Sequence, residues 1–266
     1  ITDAVFDHRQ NFGADFRISG ELSPVILSKL IISREGNKPA TMTPAPTSGT
    51  QGAYPSPLGE KAVFTYYFYW YDAPNGVFAL TNAPVDYQTM SWRDVSWQLK
   101  QIKEIKNAGI DVLLPVYWYT PQDLSWSQPG LVNLAAALEQ MRAEGDTPPA
   151  VGMFVDSSTF LGKDMREEAN KQELYDNIKF FFTTIPKGYW ALAENERPIV
   201  WFYSSNWPTA YDQTFIEFVY ENFKSDFGIR PYLVFENGWG YPVVTIDGVR
   251  MTNFDAPKLK YDAAYG

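Results

Sequence analysis

The sequence of 266 residues contains no cysteine and only one histidine, His8. The absence of cysteine excludes disulfide bonds, thiolate catalysis and cysteine-based metal sites. A Ser-His-Asp hydrolase would have to use His8, which lies far along the chain from every other candidate group. We therefore set thiol chemistry and the serine triad aside.

Basic residues and long apolar runs are also scarce. The chain has 22 Lys and Arg against 31 Asp and Glu, and this net charge of -9 argues against nucleic acid and anionic membrane surfaces as partners. No apolar run approaches the ~20 residues that span a bilayer. The chain begins at Ile1 rather than Met, which loss of a signal peptide or truncation would explain. We expect a secreted, periplasmic or cell-surface protein without membrane insertion.

Aromatic residues, in contrast, are abundant at 17%. They concentrate in three bursts, at 63–72, 110–119 and 198–204, each at the end of an apolar run. Such runs, separated by amphipathic helices, predict buried parallel strands that end in an aromatic-lined pocket. Rings beside carboxylates at strand ends suit sugars above other ligands. The alternative is that the rings fill a large core, but their repeated placement at strand ends favours a site.

Two regions follow from the composition. Residues 1–60 are predicted to form an N-terminal extension with a Pro/Thr/Ser-rich arm, and residues 61–266 alternate strand and helix in a barrel-like domain. The first helix is predicted to begin near Ser91, with Ser91 as its cap. The predicted strands are 62–71, 110–117, 150–156, 198–203 and 232–236, with a sixth near 261–265.

This alternation predicts an α/β fold with a parallel sheet, which we interpret as a (β/α)8 TIM-barrel-like fold. The Asp247-Gly248 step between β-branched runs predicts a β-hairpin insertion after strand five. Five units and the start of a sixth fall short of eight, so either the sheet is open or the sequence stops before the last strands. We favour the second interpretation, because Gly266 ends the chain where a strand should finish.

Ligands of parallel sheets and barrels bind at the carboxyl ends of the strands. Three carboxylates are predicted there, although a loop-capping or salt-bridge role is the alternative for each one alone. Glycoside cleavage uses paired carboxylates. Asp156 and Glu236 are therefore the first catalytic candidates and Asp72 is the third. The predicted substrate-binding residues are Tyr71, Tyr117, Trp118, Tyr119, Tyr203 and Trp239. No ligand spacing supports a metal and no phosphate loop or dinucleotide fingerprint exists, so no cofactor is expected.

The segment Tyr66-Tyr67-Phe68-Tyr69-Trp70-Tyr71-Asp72 resembles the opening strand of glycoside hydrolase family 99 (endo-α-mannanases and endo-α-mannosidases) and its family 71-like relatives. Residues 108–118, 151–156 and 197–203 are similar to the next three strands. The resemblance covers roughly residues 61–236 and implies a (β/α)8 barrel that acts on α-linked mannosides. The family's catalytic carboxylates lie in a late Glu-rich segment that this sequence does not contain. Only the aromatic positions and Asp72 of the substrate cleft carry over.

The sequence thus predicts a carbohydrate-active protein, with a glycoside hydrolase acting on a mannoside-like polysaccharide as the first hypothesis. A non-catalytic carbohydrate-binding or structural component of a cell-surface assembly, with protein partners, is the alternative. An unrelated α/β enzyme, such as a metal-dependent hydrolase, is a third interpretation.

Overall fold

The structure, a computed structural model, describes residues 58, 62–76, 87–118 and 127–266. The predicted N-terminal extension, except Leu58, and the candidate Tyr119 lie outside the described residues. In chain order the strands and helices are β1 (Phe64–Tyr67), α1 (Val95–Asn107), β2 (Val112–Tyr117), α2 (Ser127–Ala143), β3 (Ala150–Val151), β4 (Met153–Val155), α3 (Glu168–Thr184), β5 (Ile199–Phe202), α4 (Gln213–Phe227), β6 (Tyr232–Glu236), β7 (Val243–Ile246), β8 (Val249–Thr252) and β9 (Ala263–Tyr265).

Seven strands form one sheet in the order β1-β2-β4-β5-β6-β9, and β3 pairs with β2 beside β4. Every pairing in it is parallel. Strands that are consecutive along the chain are neighbours, so the sheet winds in one direction as a barrel does. The predicted alternation of strands and helices is confirmed, and so is a sixth strand near the end of the chain.

The sheet is curled like half of a barrel. The rings of Phe64 on β1 and Trp201 on β5 lie 5.6 Å apart between centroids. Three strand spacings separate these strands, which amounts to about 14 Å in a flat sheet. Tyr66 and Phe154 meet in the same way, at 4.7 Å across two spacings. Within the described residues the sheet does not close, and β1 and β9 are its edges.

The two faces of the sheet carry separate cores. The larger core lies between the outer face and the helices, where α2 buries Leu131, Leu134 and Leu138 and α3 buries Ile178 and Phe181. The smaller core lies on the concave inner face, and its fully buried members are Val112, Leu114, Val116, Phe154, Ala191, Ile199 and Val234. None of these comes from a helix, because the crossovers place all four helices on the outer side.

The start of the first helix differs from the sequence prediction. Asp94, not Ser91, is the N-cap of α1, and its carboxylate accepts a hydrogen bond from the Ser96 amide at 2.8 Å. The prediction that Ser91 caps this helix is wrong, because the buried Ser91 hydroxyl donates to Asp72 at 2.8 Å. The hydrogen bond from Ser91 to the Asp72 carboxylate is charge-assisted, and it is therefore stronger than a capping hydrogen bond between neutral groups.

An antiparallel hairpin, β7 and β8, follows the parallel strand β6 and turns at Asp247 and Gly248. It is fixed to the loop after β5: Thr245 donates to the Thr209 carbonyl at 2.7 Å, and Arg250 donates to the carbonyls of Pro208 and Ser205. The hairpin therefore covers the segment that leaves the carboxyl end of β5.

The edge strand β9 is tethered through the carboxylate of Asp262, which lies directly before it. Arg197 donates to both oxygens of Asp262 at 2.7 Å, and Tyr220 and the amide of Leu233 donate at 2.8 and 2.9 Å. These donors come from the start of β5, from α4 and from β6. The carboxylate thus joins the last strand to three elements at once.

Replacing Asp262 with Ala leaves Arg197 without its partner in a largely buried position. We expect a loss of about 3 kcal/mol in the free energy of unfolding, because breaking a buried ion pair on one side strands the other charge. Chemical denaturation measures this loss. Asp255→Ala, on the exposed loop before β9, is the matched control and should change stability by less than about 0.5 kcal/mol. Equal effects of the two changes would show that Asp262 does not tether β9.

Candidate functional site

Five side chains at the carboxyl ends of successive strands lie on one row of the inner face. The register pairs Tyr117 with Val155, Val155 with Phe202, and Phe202 with Phe235. One residue further along each strand the side chain points to the opposite, inner face. The hydrogen bonds of the parallel sheet extend to this row. The amide of Asp156 donates to the Tyr117 carbonyl on β2, and the amide of Tyr203 donates to the Val155 carbonyl on β4. The row, which we call the inner rim, consists of Trp118, Asp156, Tyr203, Glu236 and Tyr265.

One end of the inner rim encloses a cavity. Trp70, Trp118, Asp156 and Ser158 line this space of about 320 Å3. That volume is at the lower end of the range of small-molecule sites, ~300–1,000 Å3. Asp156 is half-buried and accepts a hydrogen bond from the Ser158 amide at 3.0 Å, which fixes the direction of its carboxylate. A carboxylate and two indole rings therefore share the wall of this cavity.

The other end of the inner rim gathers tyrosines around Glu236. Burial, followed by the negative charge of Glu236, raises the pKa of Tyr66, although a hydrogen bond with Tyr265 lowers it. Burial raises the pKa of Tyr265 as well, and Tyr66, Glu236 and Tyr203 contribute to this increase. Both phenols consequently stay protonated at neutral pH. The Tyr265 hydroxyl donates to the Phe202 carbonyl at 3.2 Å, and the Tyr66 hydroxyl can donate a hydrogen bond to a ligand.

Tyr203 separates the two ends, and its backbone is held from both sides. The carbonyl of Tyr203 accepts from the Ser157 hydroxyl at 2.6 Å and from the Trp239 indole at 3.2 Å. Ser157 directly follows Asp156, and Trp239 lies three residues after Glu236. These two hydrogen bonds therefore fix the tips of β4, β5 and β6 against one another and, with them, the spacing of the two carboxylates.

The structure brings Asp156, Glu236, Trp118 and Tyr203 together on the inner rim but places Asp72 outside it. Asp72 is 1% exposed and accepts from Ser91 at 2.8 Å, Asn75 at 2.8 Å and Arg93 at 2.7 Å. Burial raises the pKa of Asp72, but these hydrogen bonds outweigh it and hold the pKa below its usual range. A carboxylate so occupied stabilises the loop after β1, so the catalytic role given to Asp72 is withdrawn.

Two aromatic candidates lie on the outer face. Tyr117 is 2% exposed and packs against the ring of Phe181 on α3 at 6.1 Å. It precedes Trp118 by one residue and so points away from the inner face, which corrects its assignment to the substrate site. Trp239 is also 2% exposed, and its ring packs against Tyr211 at 4.6 Å. Its part in the site is the hydrogen bond to the Tyr203 carbonyl.

Tyr71 is half-buried, and its ring centroid lies 6.3 Å from that of Trp70. It stands beside the cavity rather than in its lining, which includes Trp70. The sequence prediction missed Trp70, Ser158, Tyr66 and Tyr265. Counting alternate positions back from the strand ends would have found Trp70, since the inner face takes every second residue.

No group of three or more His, Cys, Asp or Glu side chains that could hold a metal ion is found among the described residues. In the same part of the chain, no helix has the length and apolar character needed to cross a membrane.

Replacing Asp72 with Ala removes the acceptor of three hydrogen bonds, one of them from a buried hydroxyl. We expect a loss of about 2–3 kcal/mol of stability at neutral pH, because hydrogen bonds to a charged group contribute more than neutral ones. The pKa of Asp72 is lowered in the folded protein, so its contribution is present above the unfolded pKa and disappears as the pH falls through the folded value. The difference from wild type should therefore shrink in acid.

Urea unfolding at several pH values measures this dependence. Asp94→Ala, which removes only the exposed cap of α1, serves as the comparison and should cost about 1 kcal/mol. An Asp72→Ala protein as stable as the wild type at neutral pH would rule out a structural role for this carboxylate.

Similar solved structures include two of GH99 endo-alpha-mannosidases from Bacteroides thetaiotaomicron. The first, in complex with BIS-TRIS-Propane, is 18% identical with a TM-score of 0.40 and covers 54% of this chain and 42% of its own. The second is 15% identical with a TM-score of 0.43, and the match covers 66% of this chain and 55% of that protein. This chain spans about half the length of these proteins. At such scores the likeness carries no argument about activity.

No curated protein matches the chain. A family model described as "Domain of unknown function (DUF5010)" matches residues 56–249. The match takes in every strand from β1 to β7 and all four helices. The chain therefore belongs to the DUF5010 family.

Proposed function

We propose that this protein is carbohydrate-active, and that it binds and hydrolyses an oligo- or polysaccharide along the inner rim. The observation that carries the proposal is the placement of two carboxylates, Asp156 and Glu236, on one row with aromatic side chains beside each. Sugar rings have an apolar C–H face that packs on aromatic rings, and their hydroxyl groups need hydrogen-bond partners. The inner rim offers both within one concave surface.

The two ends of the inner rim make different contacts with the saccharide. Trp70 and Trp118 line the cavity beside Asp156 and provide faces on which a sugar ring stacks. Tyr203 is 42% exposed and Tyr66 43% exposed, so each presents its ring and hydroxyl to the concave side. A saccharide that runs from the cavity to Glu236 would cross Tyr203 and contact every member of the row.

Hydrolysis would use the two carboxyl groups in complementary roles. One donates a proton to the glycosidic oxygen as its bond to the anomeric carbon breaks, and the other removes a proton from the water that attacks that carbon. Asp156 and Glu236 lie two strands apart, which is about 9.5 Å at the backbone. The curl brings side chains of the inner face closer together than their backbones, as the 4.7 Å between the rings of Tyr66 and Phe154 shows. Because carboxyl groups ~6.5–9.5 Å apart give inversion and those ~5–5.5 Å apart give retention, the configuration of the product sugar measures this separation.

Non-catalytic carbohydrate binding is the second candidate. The observation that favours it is the hydrogen bond from the Ser158 amide to Asp156, since one of the two carboxylates already caps a turn. Under this proposal the cavity and the tyrosines bind a saccharide and no bond is cleaved.

Glu236→Gln separates these functions. We expect it to reduce hydrolysis at least 100-fold, as loss of an acid or base group does, and to leave saccharide binding within a few fold of wild type. The saccharides to test are first mannan oligosaccharides, because the sequence resembles family 99, and then glucans. Product analysis measures hydrolysis, and calorimetry measures binding. Binding without turnover in the wild type supports the second candidate, and the absence of binding to any saccharide contradicts both.

Trp118→Ala tests the stacking platform. We expect binding to weaken by roughly tenfold, because an aromatic contact contributes about 0.5–1.5 kcal/mol beyond its buried area. Phe254→Ala is the matched control, since Phe254 is 73% exposed and lies after β8 rather than on the inner rim. Equal losses in the two variants would place the binding surface elsewhere.

A further inference from the structure

We propose that the cavity beside Asp156 takes the protonated amino group of an amino sugar. This inference rests on the proposed function and names its substrate class: a saccharide with free 2-amino groups, such as a glucosamine oligosaccharide.

The lining of the cavity is the chemistry that recognises an ammonium group. Trp70 and Trp118 contribute two indole rings, and Asp156 contributes a carboxylate. A cation is attracted to the face of an aromatic ring, most strongly to that of tryptophan, and aromatic cages with an acidic wall bind ammonium ligands. A neutral hydroxyl of the same size would gain the stacking but not the charge attraction.

No ion pair within the described part of the chain neutralises either carboxylate of the inner rim. Among the ion pairs of the described residues, none includes Asp156 or Glu236. The basic residues of the loop after β4 are already engaged, since Lys163 pairs with Glu173 and Arg166 with Asp164. The negative charge of the rim is therefore available to a ligand.

The basic residues of the other described loops at this end of the sheet are held by hydrogen bonds. Arg93, after β1, donates to the buried Asp72, and its guanidinium lies 4.2 Å from the ring of Trp92. The segments 203–212 and 237–242, which follow β5 and β6, contain neither lysine nor arginine. Arg250 of the β7–β8 hairpin donates to the carbonyls of Pro208 and Ser205 rather than to a rim carboxylate. The two rim carboxylates therefore attract a cationic sugar more strongly than an anionic one.

The test compares two oligosaccharides of equal length and linkage, one of glucosamine and one of N-acetylglucosamine. Both are titrated into the full chain carrying Glu236→Gln, which prevents cleavage during the measurement. We expect the glucosamine oligosaccharide to bind roughly tenfold more tightly, since a cation–π contact with a partly desolvated ion is of that size. This preference should weaken as salt is added.

Adding Asp156→Asn to the same protein should remove the preference for the glucosamine oligosaccharide, because the negative charge in the cavity is lost. Asn retains the turn-capping ability of Asp, so the loop after β4 should keep its conformation. An unchanged melting temperature confirms that the double variant is folded.

The outcomes separate this inference from the proposed function. Equal or tighter binding of the acetylated oligosaccharide, or of a neutral mannan oligosaccharide, overturns the amino-sugar inference and leaves the saccharide site standing. A preference for the amine that persists in Asp156→Asn overturns the assignment to this cavity. Failure of all these saccharides to bind overturns the proposed function as well.

Discussion

The site depends on the register of parallel strands in a curled sheet. In a β-strand successive side chains point to opposite faces. Because Val155, Phe202 and Phe235 are paired across β4, β5 and β6, the residues that follow them fall on one row of the concave face. A slip of one residue in any strand would move a carboxylate to the helix side, where the large core leaves no space for a charge. The curl then turns this row into the wall of a cleft.

The packing around the row maintains this register. On the outer face the rings of Phe202 and Phe235 stack 4.3 Å apart with nearly parallel planes, directly beneath Tyr203 and Glu236. On the inner face Trp201 contacts both Phe64 and Tyr265, and so connects the two edges of the sheet with its middle. The hydrogen bonds from Ser157 and Trp239 to the Tyr203 carbonyl add a polar constraint at the tips. Aromatic residues thus form both the core of the sheet and the exposed surface of its concave face.

The periodicity of apolar residues determines which strands, helices and site residues could be predicted from the sequence. Apolar runs such as 110–117 and 232–236 predict buried strands without ambiguity. The apolar stripe of Leu131, Leu134 and Leu138 likewise predicts the helix α2. The position of Asp156 and Glu236 at strand ends was predictable for the same reason. The face of each ring was not, because a strand that is buried on both sides shows no alternation in its sequence. Tyr117 was therefore placed in the site although it faces α3.

Other contacts could not be predicted because they join residues far apart in sequence. Asp72 and Ser91 lie 19 residues apart and form a buried hydrogen bond, which removed one catalytic candidate and one predicted helix cap together. Asp262 accepts hydrogen bonds from three elements, and its partner Arg197 lies 65 residues away in sequence. These hydrogen bonds form only because the strand order places β5, β6 and β9 side by side.

A crystal structure of the chain with Glu236→Gln, grown with a glucosamine oligosaccharide, would show whether the concave face binds a saccharide. We expect electron density for the sugar along that face, with one ring stacked on Trp118 and its amino group beside Asp156. Density on the helix side of the sheet, or on the β7–β8 hairpin with the concave face empty, would contradict it.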